Sequence, residues 1–356
     1  MHVTFTGFPG QISVPLVTRL LQDETYREAT WTLLVEERRL PQAERHMAHL
    51  DRLYPGWAQK VTLRPGDLSS PHFGWDPSLW QEETRRTTHL FHLAALYDLS
   101  VPKDVSFRVN ILGTERVLEF LKAIPEPELF FYVSTAYVSG TREGIVYEEE
   151  LDTLSFKNWY EWGKYEAERK VREIHTSVPT VIVRPTIVYG DARTGATAKL
   201  DGLYFFFQLF HRLRFSPWIP GIPEGEGQAE GQFIPRDYTV EAMATLAQLP
   251  EARGRTFHLA HPRPYTMREV YHLVLETYLG RKPRGTLSLR HFRRLLHLPG
   301  VAAWLKIAPE AVDYFDVRVH FDRSNTEALL DPRGIVPPDL KEVLPAIAEG
   351  FRRFKL

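Results

Sequence analysis

The chain has 356 residues, 43% of them hydrophobic and 25% charged, enough for one large α/β domain or two intimate ones with ample core. A formal net charge of −1 excludes a nucleic-acid binder driven by bulk electrostatics and leaves only a local basic patch open. There is no cysteine, so disulfide frameworks, thiolate zinc sites and thiol nucleophiles are excluded.

No stretch approaches the roughly 18 uninterrupted apolar residues of a membrane-spanning helix. The N-terminus reads directly as a strand and not as a signal peptide, so the expected location is the cytoplasm. Arginine outnumbers lysine, asparagine is scarce and there are 26 prolines. That mix fits a thermophilic host, although high-GC coding gives much the same picture.

Residues 2–6 form a β-like run, followed at once by Gly7-Phe8-Pro9-Gly10-Gln11-Ile12-Ser13 and an apolar-periodic helix to about residue 21. A strand, a glycine turn and a helix start let the backbone approach a pyrophosphate seated on the helix N-terminus. Ser13 stands where a third glycine usually packs helix on strand, and Pro15 must fall in the first helical turn. The second strand, 30–35, ends at Glu36, where an acid can bind both ribose hydroxyls of NAD and repel the 2′-phosphate of NADP. Arg38 and Arg39 follow it and pull the other way.

A third strand, 60–64, leads to Gly66-Asp67-Leu68, and a fourth, 88–93, leads to Ala94-Ala95, small enough for a cofactor to lie against the backbone. A helix over about 104–123 carries Asn110. The fifth strand, 130–135, ends in the hydroxyls of Ser134 and Thr135, and the next helix carries Tyr160-Glu-Trp-Gly-Lys164. A tyrosine and a lysine four apart share a helix face, which taken alone reads more simply as solvated surface. The ammonium is expected to pull the phenol's pKa from about 10 toward neutrality. Ligands gather at the carboxyl ends of parallel strands, so Thr135 is expected to meet Tyr160 over a substrate. With the sixth strand at 180–185, helix and strand alternate as in a Rossmann-type doubly wound α/β sheet.

Past Gly190 the character changes. The stretch 201–218 is strongly aromatic, a Gly/Pro-rich loop spans 220–231, a short helix runs to about 249, and 256–260 reads as one more strand. The remainder is mostly helical, at about 266–279, 288–296 and 339–354. The expected division is a cofactor domain over 1–195, with 233–262 returning to it. A smaller, mostly helical substrate lobe then takes 196–232 and 263–356.

Several features carry plainer readings. His46 and His49 are three apart, but a real metal site needs three or four convergent ligands, so a solvated helix face is expected and no metal. His92 reads as part of the strand-to-cofactor turn, and Asp237 as a helix cap. The basic, periodic stretch 281–294 reads as a solvated face, with membrane-surface or acyl-carrier docking as the second reading. The rings of 205–210 read most simply as core, with an acyl pocket as the second reading.

The glycine turn, Asp67, His92-Leu-Ala-Ala95, Asn110-x-x-Gly-Thr114, Val133-Ser-Thr135, Tyr160-x-x-x-Lys164 and Arg184-Pro-Thr-Ile-Val-Tyr-Gly190 occur in one order. In that order they resemble an extended short-chain dehydrogenase/reductase, over nearly the whole chain. Within that superfamily the chain is most similar to the thioester reductase and fatty acyl-CoA reductase branch. The carriers are Ser134-Thr-Ala-Tyr-Val-Ser-Gly140, Glu149-Glu150, Glu168, and Gly190-Asp-Ala-Arg-Thr-Gly195 leading to Asp201-Gly-Leu-Tyr204. Gly163 departs from a commoner serine or threonine, and Glu36 from the arginine frequent in NADP-using members.

The resemblance implies that Thr135 hydrogen-bonds a substrate carbonyl, Tyr160 passes it the proton, and Lys164 binds the nicotinamide ribose and tunes Tyr160. It implies a pyrophosphate cradle from Gly7, Phe8, Pro9, Gly10, Gln11 and Ile12, a ribose contact at Glu36 and Arg38, and Asp67 and Leu68 beside the adenine. Ala94, Ala95 and Val133 would lie along the cofactor, Pro185 and Ile187 would border the nicotinamide, and Asn110 would orient the site. Substrate contacts would come from Tyr97, Ser134, Thr135, Tyr204 and Phe207. The implied cofactor is NAD or NADP, with NAD slightly favoured by Glu36. The expected substrate is an apolar carbonyl, with an acyl carrier or CoA thioester as one source, and a homodimer is left open. A nucleotide-sugar epimerase or dehydratase, a steroid-type alcohol dehydrogenase and a non-enzymatic cofactor sensor are the competing readings. The aromatic, cation-poor 201–218 stretch speaks against a sugar diphosphate, which needs arginines for its phosphates.

Overall fold

The structure is a computed structural model and describes residues 1–153, 155–175, 177–305 and 309–355, the side chains of 309–311 and 355 excepted. The chain falls into two compact units. The first takes Met1–Val138, Trp159–Arg184 and Val240–Phe257; the second takes Ser139–Asn158, Pro185–Thr239 and His258–Leu356.

Strands β1 (His2–Thr6), β2 (Thr30–Val35), β3 (Val61–Pro65), β4 (His89–His92) and β5 (Leu129–Val133) alternate with helices as the sequence predicts. Two short strands, β6 (Gly144–Val146) and β8 (Ile187–Tyr189), lie on either side of β7 (Thr180–Pro185) in sequence. Next come β9 (Phe233–Pro235), β10 (Arg255–Leu259) and β11 (Val319–Phe321). The main sheet has seven strands in the order β10-β7-β5-β4-β1-β2-β3, and the pairs β1–β2, β2–β3, β1–β4, β4–β5 and β5–β7 are all parallel. This is the Rossmann-type arrangement expected. β1, β4 and β7 are buried at every position, which is why they read as runs and not as alternations.

Three register-matched rings, Phe5, Phe91 and Phe131, stack across β1, β4 and β5 at 5.5 and 5.2 Å. A second cluster joins Phe73, Trp75, Trp80 and Phe120 to Phe130, Tyr132 and the Ala167–Val171 face of the helix Trp159–Arg172. The single helix expected at 104–123 is continuous in space but changes pitch. An α-turn Lys103–Ser106 passes into a π-helical stretch, Phe107–Leu112, and then into α-helix Gly113–Ala123.

The second unit is built on rings. Tyr204, Phe206, Phe207 and Phe210 of the helix Tyr204–Leu213 pack with Tyr271 and Tyr278 of the helix Met267–Leu279 and with Phe351 of the helix Leu340–Lys355. A capping box between Thr266 and Glu269 starts the middle helix, and left-handed Gly280 ends it. Two small parallel pairs, β8–β9 and β6–β11, complete the unit. The Glu148 carboxylate accepts from the amides of His258, Asn325 and Thr326 and from the Thr326 hydroxyl, tying the segment after β6 to the one after β11.

Candidate active site

The glycine turn closes on itself. Ser13 Oγ accepts from Gly10 N at 2.6 Å and donates to Gly7 O at 2.8 Å, so the serine in the third-glycine position fastens the loop. Gly7 has φ of +92°, and a Cβ there would lie 2.7 Å from Ala94 N. Only glycine permits that approach of the β1 turn to the β4 turn. No side chain caps the following helix at Ile12; Val14 N donates to Gly10 O at 3.2 Å and Pro15 has no N–H, so the turn itself carries most of the approach open to an anionic ligand. Phe8 is buried with its ring edge on His46 at 6.3 Å, and the Phe8–Pro9 peptide is cis. The tight glycine turn, small Ala94 and Ala95 and the uncapped helix start together fit a dinucleotide.

At the end of β2, Glu36 is held by both following arginines, by Arg38 at 2.6 Å and by Arg39 at 3.5 Å. The Asp67 carboxylate accepts from Ser69 N at 2.8 Å and from the hydroxyls of Ser69 and Ser70. Burial works to raise its pKa, but those bonds outweigh it and hold it below the usual carboxylate value. Leu68 packs over Gly113, where an added Cβ would touch its own Cβ at 3.5 Å.

One hydrogen-bonded chain positions the β4 turn. Thr6 Oγ1 meets His92 Nδ1 at 2.7 Å, His92 Nε2 meets Thr114 Oγ1 at 3.1 Å, and Thr114 Oγ1 donates to Asn110 O at 2.7 Å. Burial, helped by the charge of Lys164, pushes His92 down to about 3, so it is a neutral positioning group. The Asn110 side chain accepts from Leu96 N at 2.9 Å and donates to Leu96 O at 3.3 Å. It fixes the backbone just past Ala95 from within the π-helical turn, a feature that often marks functional positions.

The helix Trp159–Arg172 is pinned at its start. Ser106 Oγ donates to Trp159 O at 2.6 Å, and Lys103 Nζ lies over the rings of Trp159 and Trp162. A Cβ on Gly163 would collide with Ser106 Oγ and press on Asn110, which accounts for glycine where the family more often has a hydroxyl residue.

The site's hydroxyls meet here. Thr135 and Tyr160 are both buried, and the Thr135 hydroxyl acts on the Tyr160 phenol, drawing its pKa down against burial. Tyr97, exposed, sets its ring edge-on to Tyr160 at 5.1 Å. Lys164 Nζ donates to Val133 O at 2.8 Å and to Tyr132 OH at 3.1 Å. Ser134 is buried, and its amide donates to Val183 O.

The expected charge state does not follow. Among the protein's own groups, burial pushes the Tyr160 phenol well above its ordinary value, although the Thr135 hydroxyl opposes it. Burial brings Lys164 down to about 7, against the pull of Glu168. Enclosure outweighs the Tyr-Lys pairing on which the expectation rested. Beneath them lies an ion pair that spacing did not announce. The Glu168 and Arg184 side chains, both fully buried, meet at 2.7 Å, and Arg172 Nε reaches Glu168 at 2.9 Å.

Pro185, Ile187, Tyr204 and Phe207 lie in the second unit. Thr186 N donates to Leu259 O and Ile187 N to Gln232 O, fixing that segment's backbone. Tyr204 and Phe207 are fully enclosed, ringed by Phe351 at 6.4 and 5.5 Å, with Tyr278 5.6 Å from Phe207. That enclosure is the packing that the core reading of these rings describes. The Asp237 carboxylate accepts from Ala192 N at 2.9 Å.

The sequence profile of the NAD-binding family described as Male sterility protein matches residues 5–243. A Drosophila melanogaster protein, CG8303, whose name proposes a fatty acyl-CoA reductase, is 25% identical over 223 residues, covering 53% of this chain and 41% of its own length. The chain thus spans less than half of that relative. Among solved structures, the terminal R domain of the myxalamid PKS-NRPS pathway superposes with a TM-score of 0.81 at 22% identity, covering 100% of this chain and 91% of that one. A thiolation-reductase di-domain from an archaeal non-ribosomal peptide synthetase gives a TM-score of 0.75 at 17% identity, covering 99% of this chain and 75% of that one. At these identities the two structures speak to the fold.

Proposed function

We propose that this chain, which belongs to the male sterility protein family of NAD-binding proteins, is an NAD(P)H-dependent reductase of an apolar carbonyl, presented as a fatty acyl thioester or an aldehyde. The observation that carries this reading is the pair of buried hydroxyls, Thr135 and Tyr160, with the phenol kept protonated by its enclosure. Two enclosed O–H donors, the Tyr160 phenol under the influence of the Thr135 hydroxyl, suit a carbonyl oxygen that gains negative charge, and a protonated phenol is the form that gives a proton away. The nicotinamide, when bound, supplies the hydride.

The chain's own part is to hold and to protonate. The Gly7–Ile12 turn would receive the pyrophosphate, with Asp67 and Leu68 toward the adenine and Ala94, Ala95 and Val133 along the cofactor. Lys164, anchored on Val133 O, would reach the ribose and answer the charge left on Tyr160 after transfer. Glu36 favours NAD(H), while its two arginines temper the preference. The acyl thioester is suggested by the relative named for fatty acyl-CoA and by the thiolation-reductase fold neighbour.

The test is oxidation of NADH or NADPH by the purified protein against acyl-CoAs, aldehydes and ketones of graded length. Each methylene buried is worth ~0.8 kcal/mol, so the specificity constant should climb by about fourfold per carbon while the chain remains enclosed. A flat profile, or saturable tight binding of UDP-sugars in its place, would contradict the reading.

A further inference from the structure

Three stretches of the second unit meet at one surface: 211–218, 281–284 and 289–305. Arg281 Nη1 donates to Ser216 O at 3.0 Å, Arg284 N donates to Ile219 O at 2.9 Å, and the Arg212 guanidinium sits 5.5 Å from the Trp304 ring centroid. The helix Leu289–Leu296 buries Leu289 and Leu296 and leaves Arg290, Arg293 and Arg294 exposed. From 281 to 305 the sequence has no aspartate or glutamate, yet it holds Arg281, Lys282, Arg284, Arg290, Arg293 and Arg294. Among the described residues, Asp313 pairs with Arg293 at 2.9 Å and Glu226 accepts from Leu289 N. In a chain of net charge −1, this is a strong local concentration of cations.

Large apolar side chains stand out of the same surface. Phe215 is 84% exposed, Leu298 and Trp304 are each 53%, and Trp218 is 51%. They rise singly among arginines from separate turns; Arg214, for example, lies over the Phe215 ring at 4.5 Å. Protruding rings among basic side chains are the pattern of surfaces that lie in a bilayer interface, where rings enter the headgroup boundary and cations meet lipid phosphates.

We propose that this surface docks on the anionic face of a lipid bilayer, with Phe215, Trp218, Leu298 and Trp304 as the inserting side chains and Arg281, Arg284, Arg290 and Arg294 as the phosphate contacts. The docking stands apart from the catalytic reading, and its test needs no turnover. Full-length protein is sedimented with vesicles of phosphatidylcholine containing phosphatidylglycerol, and with phosphatidylcholine alone. Binding is expected to the anionic vesicles only and to weaken with salt.

The pair Arg290→Glu with Arg294→Glu should lose on the order of tenfold or more in vesicle affinity, and Arg290→Lys with Arg294→Lys should largely keep it. Phe215→Ser with Trp218→Ser should weaken binding with the salt dependence intact. Circular dichroism and Tm should stay as in the parent, since these side chains are exposed. Failure to sediment with anionic vesicles, equal binding to neutral ones, or indifference to both the glutamate and the serine pairs would overturn the proposal. So would capture by a purified acidic acyl carrier protein without any vesicle binding.

Discussion

The Tyr160 phenol is 9% exposed and lies beside the Thr135 hydroxyl, while Lys164 points its ammonium at Val133 O and Tyr132 OH. Which charges these groups carry is therefore decided by enclosure more than by the four-residue spacing that identifies them. At the other end of the candidate cofactor site the balance is electrostatic and exposed. Glu36 can repel a 2′-phosphate only to the extent that Arg38 and Arg39 leave its charge unanswered. Replacing Glu36 with serine removes the repulsion and releases both arginines. Paired dissociation constants should then shift toward NADPH by about tenfold, the scale of one charge-assisted contact. Wild-type protein that already binds NADPH clearly more tightly than NADH would contradict the assignment of Glu36.

At the scale of elements, the helix Trp159–Arg172 is joined to β7 by the Glu168–Arg184 pair, with Arg172 as a second partner. Burial alone would raise the Glu168 carboxyl, but Arg184 and Arg172 overcome it and hold it at about 2. A depressed carboxyl adds stability above its unfolded pKa and loses it as pH falls from about 4.5 toward 2. Glu168→Ala strands the buried Arg184 charge and should cost ~3–5 kcal/mol, lowering Tm by about 10 °C or more. Thermal unfolding of the variant measures this, and a Tm within a degree or two of the parent would show that the pair holds nothing.

The elements themselves were largely legible, because each main strand is a short apolar run ended by a turn or a cofactor-type motif. The β6–β11 pairing and the Glu148 bonds were not, since their partners lie far apart in sequence and no local pattern marks them. The π-helical turn around Asn110 was equally silent, because its sequence keeps ordinary helical periodicity. The spacing of Tyr160 and Lys164 and the place of Thr135 at a strand end are legible, and the family resemblance marks them as a candidate set. Their pKa directions are not, because burial is a property of the fold.

For the whole molecule, the second unit's aromatic core sets its stability. Phe207 is fully buried between Phe351 and Tyr278, so Phe207→Ala should cost ~3–5 kcal/mol. Its chain-length profile should keep the parent's slope, and a flattened slope with unchanged Tm would return Phe207 to a substrate pocket.

Buried histidines carry the acid sensitivity, the largest depressions lying in the first unit, with His261 and His272 of the second lowered by burial as well. Burial lowers His2 and His89 to about 4 and His92 to about 3. A histidine whose pKa is depressed by folding takes up protons more readily when unfolded, so stability drops as pH falls from about 6.5 toward 3. Glu148, raised by burial to about 7, acts the opposite way between about 4.5 and 7, where its uptake of a proton favours the folded form. Tm measured across this range should fall below pH 6.5 with the histidines dominant, and Tm rising steadily down to pH 4 would contradict that balance.

The claim that joins these scales is that Tyr160 gives the proton. Tyr160→Phe removes one hydroxyl from a buried ring and leaves the glycine turn, Lys164 and the Glu168–Arg184 pair in place. Turnover on the substrate found by the length-graded screen should be measured together with the cofactor dissociation constant. The variant should bind the cofactor as the parent does and lose turnover by about a hundredfold or more, the usual worth of a positioned acid. Near-parental turnover with intact cofactor binding would remove Tyr160 from the chemistry.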